Sequence, residues 1–385
     1  MDCSHVFVSK VNRLIVAFTL FLAFFSVVPA ANAQTDTVAV TAEQHAEVAV
    51  ESHVAGEGHE EEKFDPTKVI LEHVSDSHVF HLWGHTSMPL PVILYTPQGI
   101  EFFSSGHFHH GEEDYKGAYN TYRLVEPGKQ AFSQDFFNRK IKVVGADGNV
   151  DETASAGVLD FSITKNVASL FLTVFLLIVI FTSVAGAYKK RVGKSPRGLQ
   201  SFLEPIIVFV RDDIARPNIG HNHAKFMPYL LTVFFFILIN NLLGLVPIFP
   251  GSSNVTGNIA VTFVLSLMTM IIININGNKS YWKHIFAPDV PKWMYIIMIP
   301  VEVIGIISKP FALMIRLFAN ITAGHIIVLS LISLIFIFKS VAIAPVSVAF
   351  VVFMDVLELL VAFLQAFIFT LLSSLFIGMA IEEHH

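Results

Sequence analysis

Pro300-Val-Glu-Val-Ile-Gly-Ile-Ile-Ser-Lys-Pro-Phe-Ala-Leu-Met-Ile-Arg-Leu-Phe-Ala-Asn-Ile-Thr-Ala-Gly-His325 decides how this chain is read. It is apolar at most positions, yet it carries Glu302, Lys309, Arg316, Asn320 and His325. It lies inside a longer apolar run, Trp293–Phe338. As one helix at ~1.5 Å per residue, that run would be ~69 Å long. The hydrocarbon core of a bilayer is only ~30 Å thick. The run is therefore either two vertical spans or one long, steeply tilted helix, and hydropathy alone leaves both open. Val346–Ile381, with Asp355, Glu358 and Gln365 inside it, poses the same choice.

A charge at the middle of a membrane helix costs at least ~2.5–3.5 kcal/mol, so such residues face a partner or a wet path. Their density here argues for ion or proton movement rather than anchoring. At about 100° per residue, Glu302, Lys309 and Asn320 all fall within ~40° of Arg316, on one helix face. His325 lies roughly opposite and ~14 Å further along. Glu358 and Gln365, seven residues apart, form a second stripe. With the two runs antiparallel and Gln365 level with Arg316, Glu358 and His325 come out ~10 and ~14 Å toward the outer side, and Glu302 ~21 Å toward the other. Two polar patches result, with a fixed positive charge between them. Histidine titrates near neutral pH and can relay protons, whereas arginine stays charged and can attract a carboxylate while blocking a proton. Blander roles remain for some members: Lys309 as a snorkelling side chain, Asp355 as a rim residue, Asn240 and Asn241 as interhelical hydrogen bonds.

The rest of the chain frames this pair. Hydrophobic residues make up 53% of the 385 and charged residues 15%, well below the usual ~25% charged. A plain soluble enzyme, a disordered chain and a nucleic-acid binder are excluded. The single cysteine, Cys3, excludes a disulfide framework or a thiolate metal site. The net charge of −6 is unevenly divided: residues 34–160 hold 8 basic and 21 acidic residues, residues 161–385 hold 15 and 9. Further spans are expected at 166–187, 226–248 and 259–275. Lys189, Lys190, Arg191, Lys194 and Arg197 follow the first, and Lys279, Lys283 and Lys292 the third, which places both clusters in the cytoplasm. Ser201–Arg216 alternates apolar and charged residues and reads as an interfacial amphipathic helix.

Toward the N-terminus, Lys10 and Arg13 precede the apolar run Leu14–Val28 and then Ala31-Asn32-Ala33. Residues 1–33 thus read as a signal peptide, leaving the mature N-terminus periplasmic. Residues 34–65 read as a disordered acidic tail, and 66–160 as a small, mostly β, poorly packed periplasmic extension. In it Pro91–Tyr95 and Gly99–Phe103 form a hairpin about Pro97-Gln98, and Lys140–Val144 a further strand. Ten of the 17 histidines fall between His45 and His110. His107, His109 and His110 beside Glu112, Glu113 and Asp114 read as solvated surface rather than metal site, because no spacing fixes a tetrahedral set. No metal or cofactor is expected.

Ser308-Lys-Pro-Phe-Ala-Leu-Met-Ile-Arg-Leu-Phe-Ala-Asn320 with Ala323-Gly-His325 resembles the signature of the ATP synthase a subunit, the stator channel of the F-type rotary enzyme. Leu364-Gln-Ala-Phe-Ile-Phe369 and Asn240-Asn-Leu-Leu-Gly-Leu-Val-Pro247 are similar to its other two signatures, and the resemblance covers residues 161–385. It implies an all-α polytopic membrane protein with five transmembrane helices, the last two (293–338 and 346–381) long and tilted, plus the interfacial helix. It implies that the C-terminus is cytoplasmic and that the chain sits in a bacterial inner membrane, against a ring of c subunits and a b-subunit peripheral stalk. Arg316 then takes the place of the essential arginine facing the ring carboxylate. Asn320 and Gln365 become its outer neighbours, Glu302 the inner half-channel carboxylate, and Lys309, Asn241 and Asp355 supporting residues. His325 and Glu358 stand where many members have a carboxylate and some a histidine, so the pair is present with its types exchanged. Gly244 replaces an acidic residue of the family pattern. The implied function is proton translocation through two offset half-channels coupled to ATP synthesis, by a subunit without catalysis or nucleotide site of its own, since no G-x-x-x-x-G-K-[ST] occurs. Two rivals are a stand-alone secondary transporter or ion channel, which predicts internal repeats not seen here, and a histidine-rich metal sensor with a membrane anchor.

Overall fold

The computed structural model describes residues 70, 74, 76–83, 86–111, 113–125, 141–145, 147–191, 194–246, 251, 253–287, 290–338 and 343–382. The signal peptide expected over 1–33 and the acidic tail expected over 34–65 lie outside them.

The described residues hold eight short strands: β1 (Val79–Trp83), β2 (Thr86–Pro89), β3 (Pro91–Thr96), β4 (Gly99–Ser104), β5 (Tyr115–Lys116), β6 (Thr121–Leu124), β7 (Ile141–Val144) and β8 (Leu159–Asp160). They form three small antiparallel sheets, β1-β2, β4-β3-β8 and β5-β6-β7. The β3–β4 hairpin turns at Pro97-Gln98, with Thr96 opposite Gly99. The Thr96 hydroxyl pins the turn by accepting from the Gly99 amide and donating to its carbonyl.

The expectation of poor packing is corrected. Val92, Leu94, Phe103, Phe108, Tyr122, Ile141, Val143 and Val158 form a buried core of their own. Alternation along β3 sends Val92 and Leu94 inward, and Phe103 packs against Phe108 and Tyr115. Beneath them Glu101 is buried but satisfied: its carboxylate accepts from the Tyr122 hydroxyl (2.6 Å) and from the Ala118 and Tyr119 amides. Burial and that carboxylate push the Tyr122 hydroxyl pKa upward. Strands this short, separated by turns, give too weak a pattern for the core to be seen in sequence.

A one-turn helix, α1 (Glu152–Ala156), precedes β8, and the sheet then runs directly into the helical half. The amides of Phe161, Ile163 and Lys165 donate to the carbonyls of Ile93, Pro91 and Ser77. The helices are α2 (Lys165–Lys190), α3 (Leu199–Phe209), α4 (Arg216–Ile219), α5 (His223–Leu245), α6 (Ile259–Asn276), α7 (Lys279–Phe286), α8 (Tyr295–Phe338) and α9 (Ala344–Ile381). A π-helical turn, Val210–Ala215, joins α3 to α4. Among the described residues, five segments are long and apolar enough to cross a membrane: α2, the α3–α5 stretch, α6, α8 and α9. The choice left open by hydropathy is settled, because Tyr295–Phe338 is one helix of 44 residues, about 66 Å at ~1.5 Å per residue. Pro300 and Pro310 lie inside it, as membrane helices tolerate.

α5 is the axle of the bundle: Leu230, Val233, Phe234, Phe236 and Ile237 are fully buried. By contrast, Ile296, Ile304, Phe311, Phe336, Phe350, Val356 and Leu360 on α8 and α9 are exposed. Apolar surface of that extent needs lipid or a partner to cover it. The stretch read as interfacial, Ser201–Arg216, runs from α3 through the π turn; it buries Val210, Ile214 and Ala215 and keeps Arg211 and Arg216 on Asp212 at its surface.

At the end of the bundle far from the sheets, α9 and α4 touch. A Cβ on Gly378 would lie 1.9 Å from the Asn218 carbonyl oxygen, while Asn218 Nδ2 donates to Ser374 Oγ (3.2 Å). The obstacle is backbone and cannot swing away. Gly378→Ala should therefore cost about 1–3 kcal/mol, read as a lowered thermal midpoint and less subunit in the membrane; an unchanged midpoint would show that the two helices separate freely.

Candidate functional site

Three contacts set the antiparallel register of α8 and α9. Ser347 Oγ donates to the Leu331 carbonyl. His325 Nδ1 lies 3.9 Å from Glu358 Oε2. Lys309 Nζ sits over the Phe376 ring, 5.4 Å from its centroid. Counting inward from the last two contacts brings Gln365 level with Phe318 to Asn320, within about one turn of Arg316 on the side toward His325. One helical period on each helix makes this possible: Glu358 and Gln365 share a face of α9 as Arg316 and Lys309 share one of α8.

The residues separate into three levels. Toward the sheets, His325 and Glu358 are both largely buried, with side chains 21% and 11% exposed. Both are seated by glycines. A Cβ on Gly324 would stand 2.7 Å from Glu358 Oε1, and one on Gly244 would stand 3.8 Å from His325 Nε2. Thus Gly244 borders the imidazole. Asp355, about one turn from Glu358, is exposed.

At mid-level, Arg316 and Asn320 are exposed on α8 while Gln365 is 3% exposed on α9. Among the described residues no carboxylate pairs with Arg316. At the far end, Glu302 on α8 is 28% exposed and lies 3.9 Å from His284 Nδ1 on α7. The structure thus brings His325 to Glu358 and keeps Glu302 apart from both.

A buried polar seam backs this arrangement. Asn241 Nδ2 donates to the Ala362 carbonyl (3.2 Å) and its Oδ1 accepts from Thr256 (2.7 Å), tying α5 to α9 and to the loop before α6. Asn240 Oδ1 accepts from Thr173 of α2 (2.9 Å), and Ser253 donates to Asn166 (2.7 Å). Buried amides satisfied on both ends hold helices in one register. Thr173, Thr256, Gly324 and His284 escaped the sequence reading. Thr173 is an ordinary apolar-run threonine, Thr256 lies in the loop before α6, the small residue before His325 is informative only once Glu358 is placed, and His284 lies in a short charged stretch after the third span.

Of the outer histidines, His109 Nε2 lies 3.7 Å from Glu113 with both side chains exposed, and His107 stands edge-on to Tyr115. Among the described residues no three His, Cys, Asp or Glu side chains converge as a metal site would require.

Among the described residues, five membrane-length segments, two of which (α8 and α9) carry charged and titratable groups at three levels along their length, define a polytopic membrane protein. A family model described as ATP synthase A chain matches residues 167–378. Among relatives, "ATP synthase subunit a" of Chloroherpeton thalassium is 49% identical over 236 residues, 59% of this chain and 70% of the relative. "ATP synthase subunit a 2" of Chlorobaculum tepidum is 50% identical over 230 residues, 57% and 64% of the two chains. "ATP synthase subunit a" of Myxococcus xanthus is 44% identical over 236 residues, 60% and 76% of the two. The chain belongs to the ATP synthase A chain family. A second family model, of a domain of unknown function, matches residues 69–161.

Proposed function

We propose that this chain performs the proton-translocating role of subunit a in an F-type ATP synthase through two offset half-channels that meet at Arg316. The role rests on family membership and on relatives near 50% identity; the path is read from the residues. Protons enter from the sheet side past His325 and Glu358, with Asn320 and Gln365 next on the way, and reach a carboxylate on a rotating ring of c subunits. After rotation that carboxylate releases its proton toward Glu302. Arg316 attracts the empty carboxylate and, unable to give up its own proton, keeps the two paths from joining. Lys309, Asn241 and Asp355 support this layout.

The observation that carries the reading is Arg316 itself: a permanent charge within a membrane-length helix, exposed, and with no carboxylate of the described residues beside it. Its stabilising partner then comes from another chain. The sheet end lies in the periplasm and the α7 end in the cytoplasm of a bacterial inner membrane, in line with the basic residues after α2 and α6. A b-subunit stalk holds the stator.

Vesicles carrying the intact complex test this. ATP hydrolysis should acidify the lumen, the chain should co-elute with ring and stalk subunits, and deleting residues 34–65 should leave pumping in place. Elution as a free transporter, or pumping lost with the 34–65 deletion, would contradict it.

A further inference from the structure

We propose that His284 is a proton-transfer residue at the cytoplasmic mouth, passing protons between Glu302 and bulk water. This rests on the assignment of Glu302 to the inner half-channel.

The placement comes from α7. Asn278, just before it, binds the end of α9: its amide donates to the Ala380 carbonyl (2.9 Å) and its Nδ2 to the Ile381 carbonyl (2.6 Å). This satisfies carbonyls that a helix C-terminus otherwise leaves open. Ile285 is buried and Trp282 stacks on Phe286, so the short helix lies fixed across the far end of the bundle. His284 is thereby set 3.9 Å from Glu302, with its own side chain 61% exposed and the carboxylate 28% exposed. One group looks into the protein and the other into solvent, as a relay requires. The distance suits transfer through one intervening water. Charged and titratable groups on the elements packed here are Lys279, Tyr281 and Lys283 on α7, Tyr295 and Lys309 on α8 and Glu382 just past α9. Burial and the nearby Glu302 carboxylate push the Tyr281 hydroxyl pKa upward, so Tyr281 keeps its proton. His284 is the one imidazole of this set, the side-chain type that both takes and gives a proton in relay chemistry.

In the synthesis direction, the ring acid gives its proton to the Glu302 carboxylate. Glu302 gives it to the neutral His284 imidazole and returns to its charged form. The imidazolium then loses it to water or buffer. Pumping reverses each transfer.

The test is ATP-driven pumping by the intact complex, between pH 6 and 9, in wild type, His284→Ala, His284→Gln and Glu302→Gln. Water can replace part of the relay, so flux in both His284 variants should fall roughly tenfold, short of the full contribution of a general acid–base group. The pH profile should change in both variants, and imidazole on the cytoplasmic side should restore much of the flux to His284→Ala. Unchanged flux and profile in both variants, or a loss that imidazole does not relieve, while Glu302→Gln still blocks pumping, would overturn the proposal and leave the inner path standing. Unchanged pumping in Glu302→Gln would instead remove the inner path and the relay with it.

Discussion

Arg316→Ala should abolish ATP-driven pumping and proton-driven synthesis while the complex still assembles. The variant removes an exposed side chain, so no cavity opens in the bundle and folding is spared. What goes, on the proposed reading, is the charge that meets the rotor. At ~4 Å and an effective dielectric of ~20, a guanidinium–carboxylate pair is worth about 4 kcal/mol, close to a thousandfold in rate. Without it the empty ring carboxylate has nothing to hold it in the low-dielectric gap between the half-channels. Arg316→Lys should recover little, because an ammonium in that gap can lose its proton and cannot present a planar fork. Pumping and complex yield measured on the same vesicles separate a coupling defect from an assembly defect; retained pumping in Arg316→Ala would contradict the assignment.

The second large effect is expected at the exchanged pair. Each of Glu358→Gln and Glu358→His, and likewise His325→Glu, breaks a pair whose members lie 3.9 Å apart in largely buried positions. Proton transfer by a positioned group contributes ~10²–10⁴-fold, so each single variant should slow pumping by at least about tenfold. Glu358→Gln should also alter its pH dependence, since one of two titrating partners is gone. The double swap His325→Glu with Glu358→His should regain much of the loss, because the two positions face each other whichever residue type occupies them. The glycines limit this recovery: an imidazole at 358 must lie where Gly324 leaves a carboxylate barely enough room, and a carboxylate at 325 gains space beside Gly244. A double variant no better than either single, or an unchanged pH profile in Glu358→Gln, would count against a relay here.

What could be read without coordinates followed from the helical period. Arg316 and Lys309 on one face, Glu358 and Gln365 on one face, and an antiparallel pairing were enough to bring His325 near Glu358, because a rise and an angle per residue are nearly constant. Whether Trp293–Phe338 is one helix or two did not follow, since two short spans and one long one carry the same hydropathy. The seating of the pair by Gly324 and Gly244 was hidden as well: a glycine shows no side-chain signal, and its use depends on which neighbour arrives. His284 was missed for the same reason, its partner lying across a turn of irregular chain. In the outer part, the β3–β4 hairpin was legible from its turn residues, whereas the core beneath it joins Val92, Phe108, Tyr122 and Val158 across loops that leave no periodic trace.

The measurement that bears most directly on all of this is an experimental map of the intact complex, sharp enough to show the Arg316 side chain. It should show the guanidinium turned toward an acidic residue of a neighbouring ring subunit, between one cavity reaching His325 and Glu358 and a separate one reaching Glu302. A guanidinium pointing into lipid, or a single continuous cavity running past it from one face to the other, would contradict the account.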